Sequence, residues 1–208
     1  LFRVYSRFVP NLTRNDGRAY AGLLNARHAA PEAAASTDGA QLLASMTPEQ
    51  KRALLIALAG ELRLWIALGS SHLLTPPHKP HNSLYLIGAD GTLKDRYDKR
   101  FGTEMDLLHY TPGNHFVVFD INGVKCALLI CFDLRFPELY RQLYTQGVNC
   151  IFQSFYNARQ QGPSVHTEIM RQTMQANAAN NGMWASMTNS CGWFCPYPSC
   201  FIQPDGRI

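Results

Sequence analysis

Cys131 is the side chain of this sequence best placed to act as a nucleophile. It closes an apolar, strand-forming run (Val124, Cys126, Ala127, Leu128, Leu129, Ile130), and the residues after it, from Asp133 through Leu134, Phe136, Leu139 and Tyr140, take helix-like spacing. A strand-to-helix turn sets a side chain at the open end of a sheet, where the unpaired backbone N–H groups of the next helix favour an anion. The pattern therefore predicts a thiol that ionises more readily than a free one, and the thiolate is the attacking species in covalent catalysis. Strand and turn alone also fit, and favour, a plainer reading in which Cys131 is a buried cysteine ending a strand.

The elements needed to position this residue are legible on either side of it. Asn122-Gly123 between two strand-like segments, 116–121 and 124–130, predicts the strongest hairpin of the chain, and that hairpin delivers Cys131. A helix over 135–146 leads to a buried strand over 149–155, a polar loop over 156–163, a helix capped by Ser164 and ended by Gly182, and strands over 183–188 and 199–203. Earlier, Thr47, Pro48 and Gln50 form a capping-box start for a helix reaching about Arg63, with Leu54, Leu55, Leu58 and Leu62 on its buried face. A short strand over 64–68 ends where Gly69-Ser70 turns the chain away, and strands over 82–87 and 93–99 flank a turn at Ala89-Asp90-Gly91. The first 35 residues show no clean period and read as loop with a short helix over 19–27. Helix and strand in this alternation imply a layered α/β domain.

Composition sets the outer bounds. With 208 residues and 46% hydrophobic content, the chain has enough apolar material for the core of one domain, 1–208. A net charge of +4 with scattered basic residues predicts no nucleic-acid partner, and no apolar run has the length of a membrane span. Six cysteines, two of them in apolar strand-like runs, suit a reducing, cytoplasmic compartment better than a disulfide framework. Neither the histidines of the loop around 72–81 nor the Cys191, Cys195 and Cys200 group has metal-ligand spacing, so no metal is expected.

The stretch Ile130-Cys131-Phe132-Asp133-Leu134-Arg135-Phe136-Pro137-Glu138-Leu139-Tyr140-Arg141 resembles the nucleophile segment of the carbon–nitrogen hydrolase (nitrilase-like) superfamily. Arg96-Tyr97-Asp98-Lys99 resembles that family's catalytic-lysine segment and Tyr110-Thr111-Pro112-Gly113 its turn between lysine and cysteine. The likeness continues through 166–186 to the late hairpin at Pro204-Asp205-Gly206, and covers residues 54–208 in the right order. It implies a four-layer α-β-β-α sandwich, an enzyme without metal or organic cofactor, and Cys131 attacking a small amide or carbamoyl substrate to form a thioester that water resolves.

The resemblance also assigns roles. Lys99 would stand beside Cys131 as a fixed positive charge for thiolate and oxyanion. A second carboxylate would support it, with Glu104 preferred for its chemistry over Asp106, which has the better spacing and a shorter arm. Cys131-Phe132-Asp133 looks more like the amidases of the superfamily than its nitrilases. Phe132, Arg135, Tyr156 and Asn157 are candidate substrate contacts, Arg135 for a substrate carboxylate. Members associate through helices flanking the nucleophile, which implies a homo-oligomer. The family's general base, a glutamate after an N-terminal apolar strand, has no match here except Pro31-Glu32 in a setting too polar for a strand. The expectation is that it precedes Leu1 and that the domain lacks its first strand and C-terminal tail. Two other readings stay open, an acyltransferase of the same superfamily and a non-catalytic binding subunit.

Overall fold

Thr47 starts the first long helix in the manner its neighbours dictate. Its side chain accepts the Gln50 N–H while Gln50 returns a bond to the Thr47 N–H, and α1 (Pro48–Leu62) ends at Arg63 in the left-handed conformation. The computed structural model describes residues 2–5, 45–156, 165–189 and 197–208. The expectations of a helix over 19–27, of Glu32 and Asn157, of the Ser164 cap and of Cys191 and Cys195 lie outside these residues. The buried face of α1 is Leu55, Leu58 and Ala59, with Leu54 and Leu62 at its margin.

Against that face lies a four-stranded sheet ordered β1 (Phe2–Tyr5), β2 (Trp65–His72), β3 (His81–Ile87) and β4 (Leu93–Asp98). Leu55 and Ala59 of the helix pack on Ile66 and Ile87 of the sheet. Two expectations need correction. β2 does not stop at Leu68: Gly69, Ser70, Ser71 and His72 pair with Leu84, Ser83, Asn82 and His81, so the long antiparallel ladder overrides the local turn signal. The opening residues, read as loop, include β1, which runs parallel to β2 with Phe2 opposite Trp65.

After α2 (Glu104–His109), the chain forms the second sheet. Asn122 and Gly123 both take positive φ, 53° and 82°, in the two-residue turn joining β5 (Val118–Ile121) to β6 (Val124–Ile130). β6 pairs in parallel with β7 (Cys150–Ser154), β7 in parallel with β8 (Trp184–Thr188), and β9 (Cys200–Ile202) closes the order antiparallel. The parallel connections are α3 (Pro137–Thr145) and α4 (Val165–Asn181).

The layers follow from which faces are apolar. Trp65 of the first sheet stacks on Phe119 of the second at 5.7 Å, and Phe119 stacks on Phe152 at 6.4 Å, so the two sheets meet face to face. On the far side of the second sheet, Leu139, Tyr140 and Leu143 of α3 and Met170, Met174 and Ala178 of α4 complete one continuous core. The order is helix, sheet, sheet, helix, the α-β-β-α sandwich expected. All parallel strands of the second sheet end at the same rim, and that rim carries Cys131. Among the described residues no helix is long and apolar enough to cross a membrane.

Candidate active site

The strand carrying Cys131 ends abruptly. Ile130 is extended, Cys131 has φ 45°, and a 3-10 turn runs over Cys131–Arg135 before α3 begins. A left-handed backbone at a non-glycine residue costs on the order of 1–3 kcal/mol and persists only where its surroundings fix it. Three buried side chains do so. Asp133 accepts the Ile130 N–H at 2.9 Å and the Tyr97 hydroxyl at 2.8 Å on one oxygen and the Phe101 N–H at 3.0 Å on the other. Gln153 of β7, whose Oε1 receives the Tyr140 hydroxyl, donates to the Cys131 carbonyl at 3.1 Å. Asn177 of α4 donates to the Leu134 carbonyl at 3.1 Å.

Lys99 follows β4 on the same side of the molecule. It is 5% exposed, and its Nζ donates to Asp106 Oδ2 at 2.6 Å. The Thr-Pro-Gly turn holds this segment from behind, with the Gly113 N–H donating to the Lys99 carbonyl at 2.8 Å. A Cβ on Gly113 would lie 2.3 Å from the Asp98 carbonyl oxygen, a backbone atom with no room to give. Gly113→Ala is therefore expected to lower stability by about 1–3 kcal/mol in denaturant melts and to displace Lys99.

Electrostatics ties the two candidates together and corrects one expectation. Cys131 keeps some solvent contact as a residue. At the thiol, however, burial outweighs the Lys99 charge and the Tyr156 N–H that donates to its sulfur, and the pKa is raised rather than lowered. At rest the group is a neutral thiol that needs a base. Burial also opposes ionisation of Asp106, but its bonds to Lys99 and Thr103 prevail and hold its carboxyl below the usual range.

Asp133, fully buried, is pushed up by burial to about 6 despite its three donors. A carboxyl raised from 3.8 favours the folded state while protonated and loses that contribution as pH rises through 6. The stability advantage of the protein over Asp133→Asn is therefore expected to be greater at pH 4 than at pH 7 by about 2 kcal/mol, read from paired urea titrations.

The other candidates separate. Glu104 is exposed on the first turn of α2, so the carboxylate meeting Lys99 is Asp106 and the preference for Glu104 is corrected. Phe132 packs edge-on to Phe136, which stacks on Phe101 at 3.8 Å. Arg135 is exposed at the end of the 3-10 turn, and Tyr156 reaches the site through its backbone N–H. Gln153 and Asn177 were not read as site residues. Gln153, a polar residue inside the apolar run of β7, was the available signal, because a fully buried amide in a strand core needs partners.

A model of the carbon-nitrogen hydrolase family matches residues 28–208. The chain belongs to this family. The carbon-nitrogen hydrolase is 32% identical over 106 residues to a deaminated glutathione amidase from Yersinia enterocolitica, covering 45% of this chain and 37% of that protein. It is 28% identical over 135 residues to a 2-oxoglutaramate amidase from Bacillus subtilis, covering 62% of this chain and 50% of the relative. The chain thus spans half or less of the length of these curated relatives. In three dimensions it is similar to a mutant of the Nesterenkonia AN1 amidase from the nitrilase superfamily, with a TM-score of 0.68, 19% identity, and coverage of 99% of this chain and 83% of that one. At that identity the likeness establishes the fold.

Proposed function

We propose that this carbon-nitrogen hydrolase cleaves a non-peptide C–N bond, in an amide or carbamoyl group of a small molecule, through a thioester on Cys131. The observation that carries the reading is the pairing of a thiol in a strained, braced turn with a buried ammonium whose charge reaches it and whose position Asp106 fixes. Because the thiol rests neutral, attack begins with proton removal by a base. The sulfur then bonds to the amide carbon, and the negative oxygen is stabilised by Lys99 and the backbone N–H after the cysteine. The nitrogen leaves as ammonia or an amine, and water hydrolyses the thioester.

The base in this reading is a glutamate other than Glu49, Glu61, Glu104, Glu138 and Glu168, each of which is solvent-exposed. The same observation supports a second reading, a binding subunit that kept the fold without turnover. The substrate is a small amide, and the protein works as a cytoplasmic homo-oligomer. Incubation with small ω-amides and N-carbamoyl compounds is expected to release ammonia, and acid quenching to trap an acyl adduct on the Cys131 peptide. No ammonia from any amide, together with a Cys131 that iodoacetamide fails to label, would select the binding subunit.

A further inference from the structure

Beside the nucleophile turn, two buried polar atoms have no hydrogen-bond partner among the described residues. Asn82 is 2% exposed and Ser154 6% exposed, and neither Asn82 Oδ1 nor Ser154 Oγ is bonded to any described residue. Both line one small cavity between the sheets, whose remaining walls are Gly69, Leu84, Ile130, Phe155 and Ser83, the last with its hydroxyl donated to Asp98. A buried hydroxyl or amide left unbonded loses its hydration without return, so two of them converging on one cavity define a site for a small molecule that bonds to both.

The cavity adjoins the segments that carry both reacting groups. Ser154 is the register partner of Ile130, the residue before Cys131. Phe155 precedes Tyr156, whose N–H donates to the Cys131 sulfur. Asn82 accepts the Lys99 N–H on its backbone carbonyl at 2.8 Å, and it also lines the neighbouring cleft that contains Lys99 and Asp106. Asn82 is therefore the wall shared by the cavity and the lysine cleft.

We propose that Asn82 and Ser154 hold a single water molecule between the two sheets and that this water resolves the Cys131 thioester; the second half rests on the amide-hydrolase reading above. The water donates one hydrogen to Asn82 Oδ1 and bonds to the Ser154 hydroxyl, which leaves an oxygen lone pair for attack. Its oxygen bonds to the acyl carbon as the carbon–sulfur bond breaks. One water proton ends on the sulfur, and the other leaves with the carboxylic acid. Ammonia is already gone, so acylation does not use the site.

Ser154→Ala separates these claims. With a primary amide that the protein turns over, and hydroxylamine present as a competing nucleophile, the ratio of acid to hydroxamate is expected to fall about tenfold, the scale on which one lost positioning contact shows in a rate. An unchanged ratio overturns the hydrolytic role. The melting temperature tests the site without any turnover. Removing the hydroxyl from an occupied site lowers it, whereas removing an unbonded hydroxyl from a dry cavity leaves it unchanged or raises it, and either of the latter overturns the site. A protein silent toward every amide loses the hydrolytic role along with the amide reading, and the melting temperature then decides the site alone.

Discussion

Cys131→Ala is expected to reduce ammonia release from any amide substrate to background, a loss of at least about 10⁴-fold in kcat, while the protein remains folded. The size follows from the absence of a substitute. Once the sulfur is gone, the groups that polarise the carbonyl in the proposed mechanism, Lys99 and the backbone N–H after position 131, remain, but no atom of the turn can form the covalent intermediate. Folding survives because alanine keeps the Cβ and the backbone bonds of the turn. The bond from Gln153 goes to the main-chain carbonyl, and Asp133 holds Ile130 and Phe101 without touching the thiol. A melting temperature within a few degrees of the parent, combined with full loss of ammonia, is the expected pair of results. Equal ammonia from parent and variant would remove Cys131 as the nucleophile.

What the sequence revealed about this site divides along a physical line. Features set by neighbours in the chain were readable: the Thr47 cap, the Asn122-Gly123 turn, and the place of Cys131 where strand gives way to helix. Features set by distant contacts were not. Gly69 to His72 carry turn-forming residues, yet β3 supplies a partner for each of them and keeps them in the strand.

The ionisation of Cys131 departs from what its local sequence predicts for a similar reason. The start of a helix favours a thiolate by a local field, but the two packed sheets bury the sulfur, and burial is the larger effect. Asp106 was within reach of sequence reasoning. Thr103-Glu104-Met105-Asp106 is a capping box, and the residue at its fourth position folds back toward the helix start, where Lys99 arrives, while Glu104 points to solvent.

That pairing underlies the second large effect. Lys99→Met is expected to lower kcat by about 10²–10³-fold or more, because in the proposed mechanism it removes the charge that faces the developing oxyanion. It also removes the influence that opposes burial at Cys131, so the thiol pKa moves further up. Iodoacetamide labelling of the Cys131 peptide should then rise at higher pH in the variant than in the parent, since only the thiolate reacts.

Stability also falls, because Asp106 is left half-buried with only Thr103, through its N–H and its side chain, to favour the carboxylate among the contacts described. Its partial contact with water limits the cost to about 2–3 kcal/mol, the low end for breaking such a pair. Lys99→Met combined with Asp106→Leu separates the two consequences. The double variant has no unpaired charge and should regain most of the lost stability. Its turnover should stay as low as that of Lys99→Met. If turnover returned together with stability, Lys99 would be a structural partner of Asp106 and not a group that acts on the reacting carbonyl.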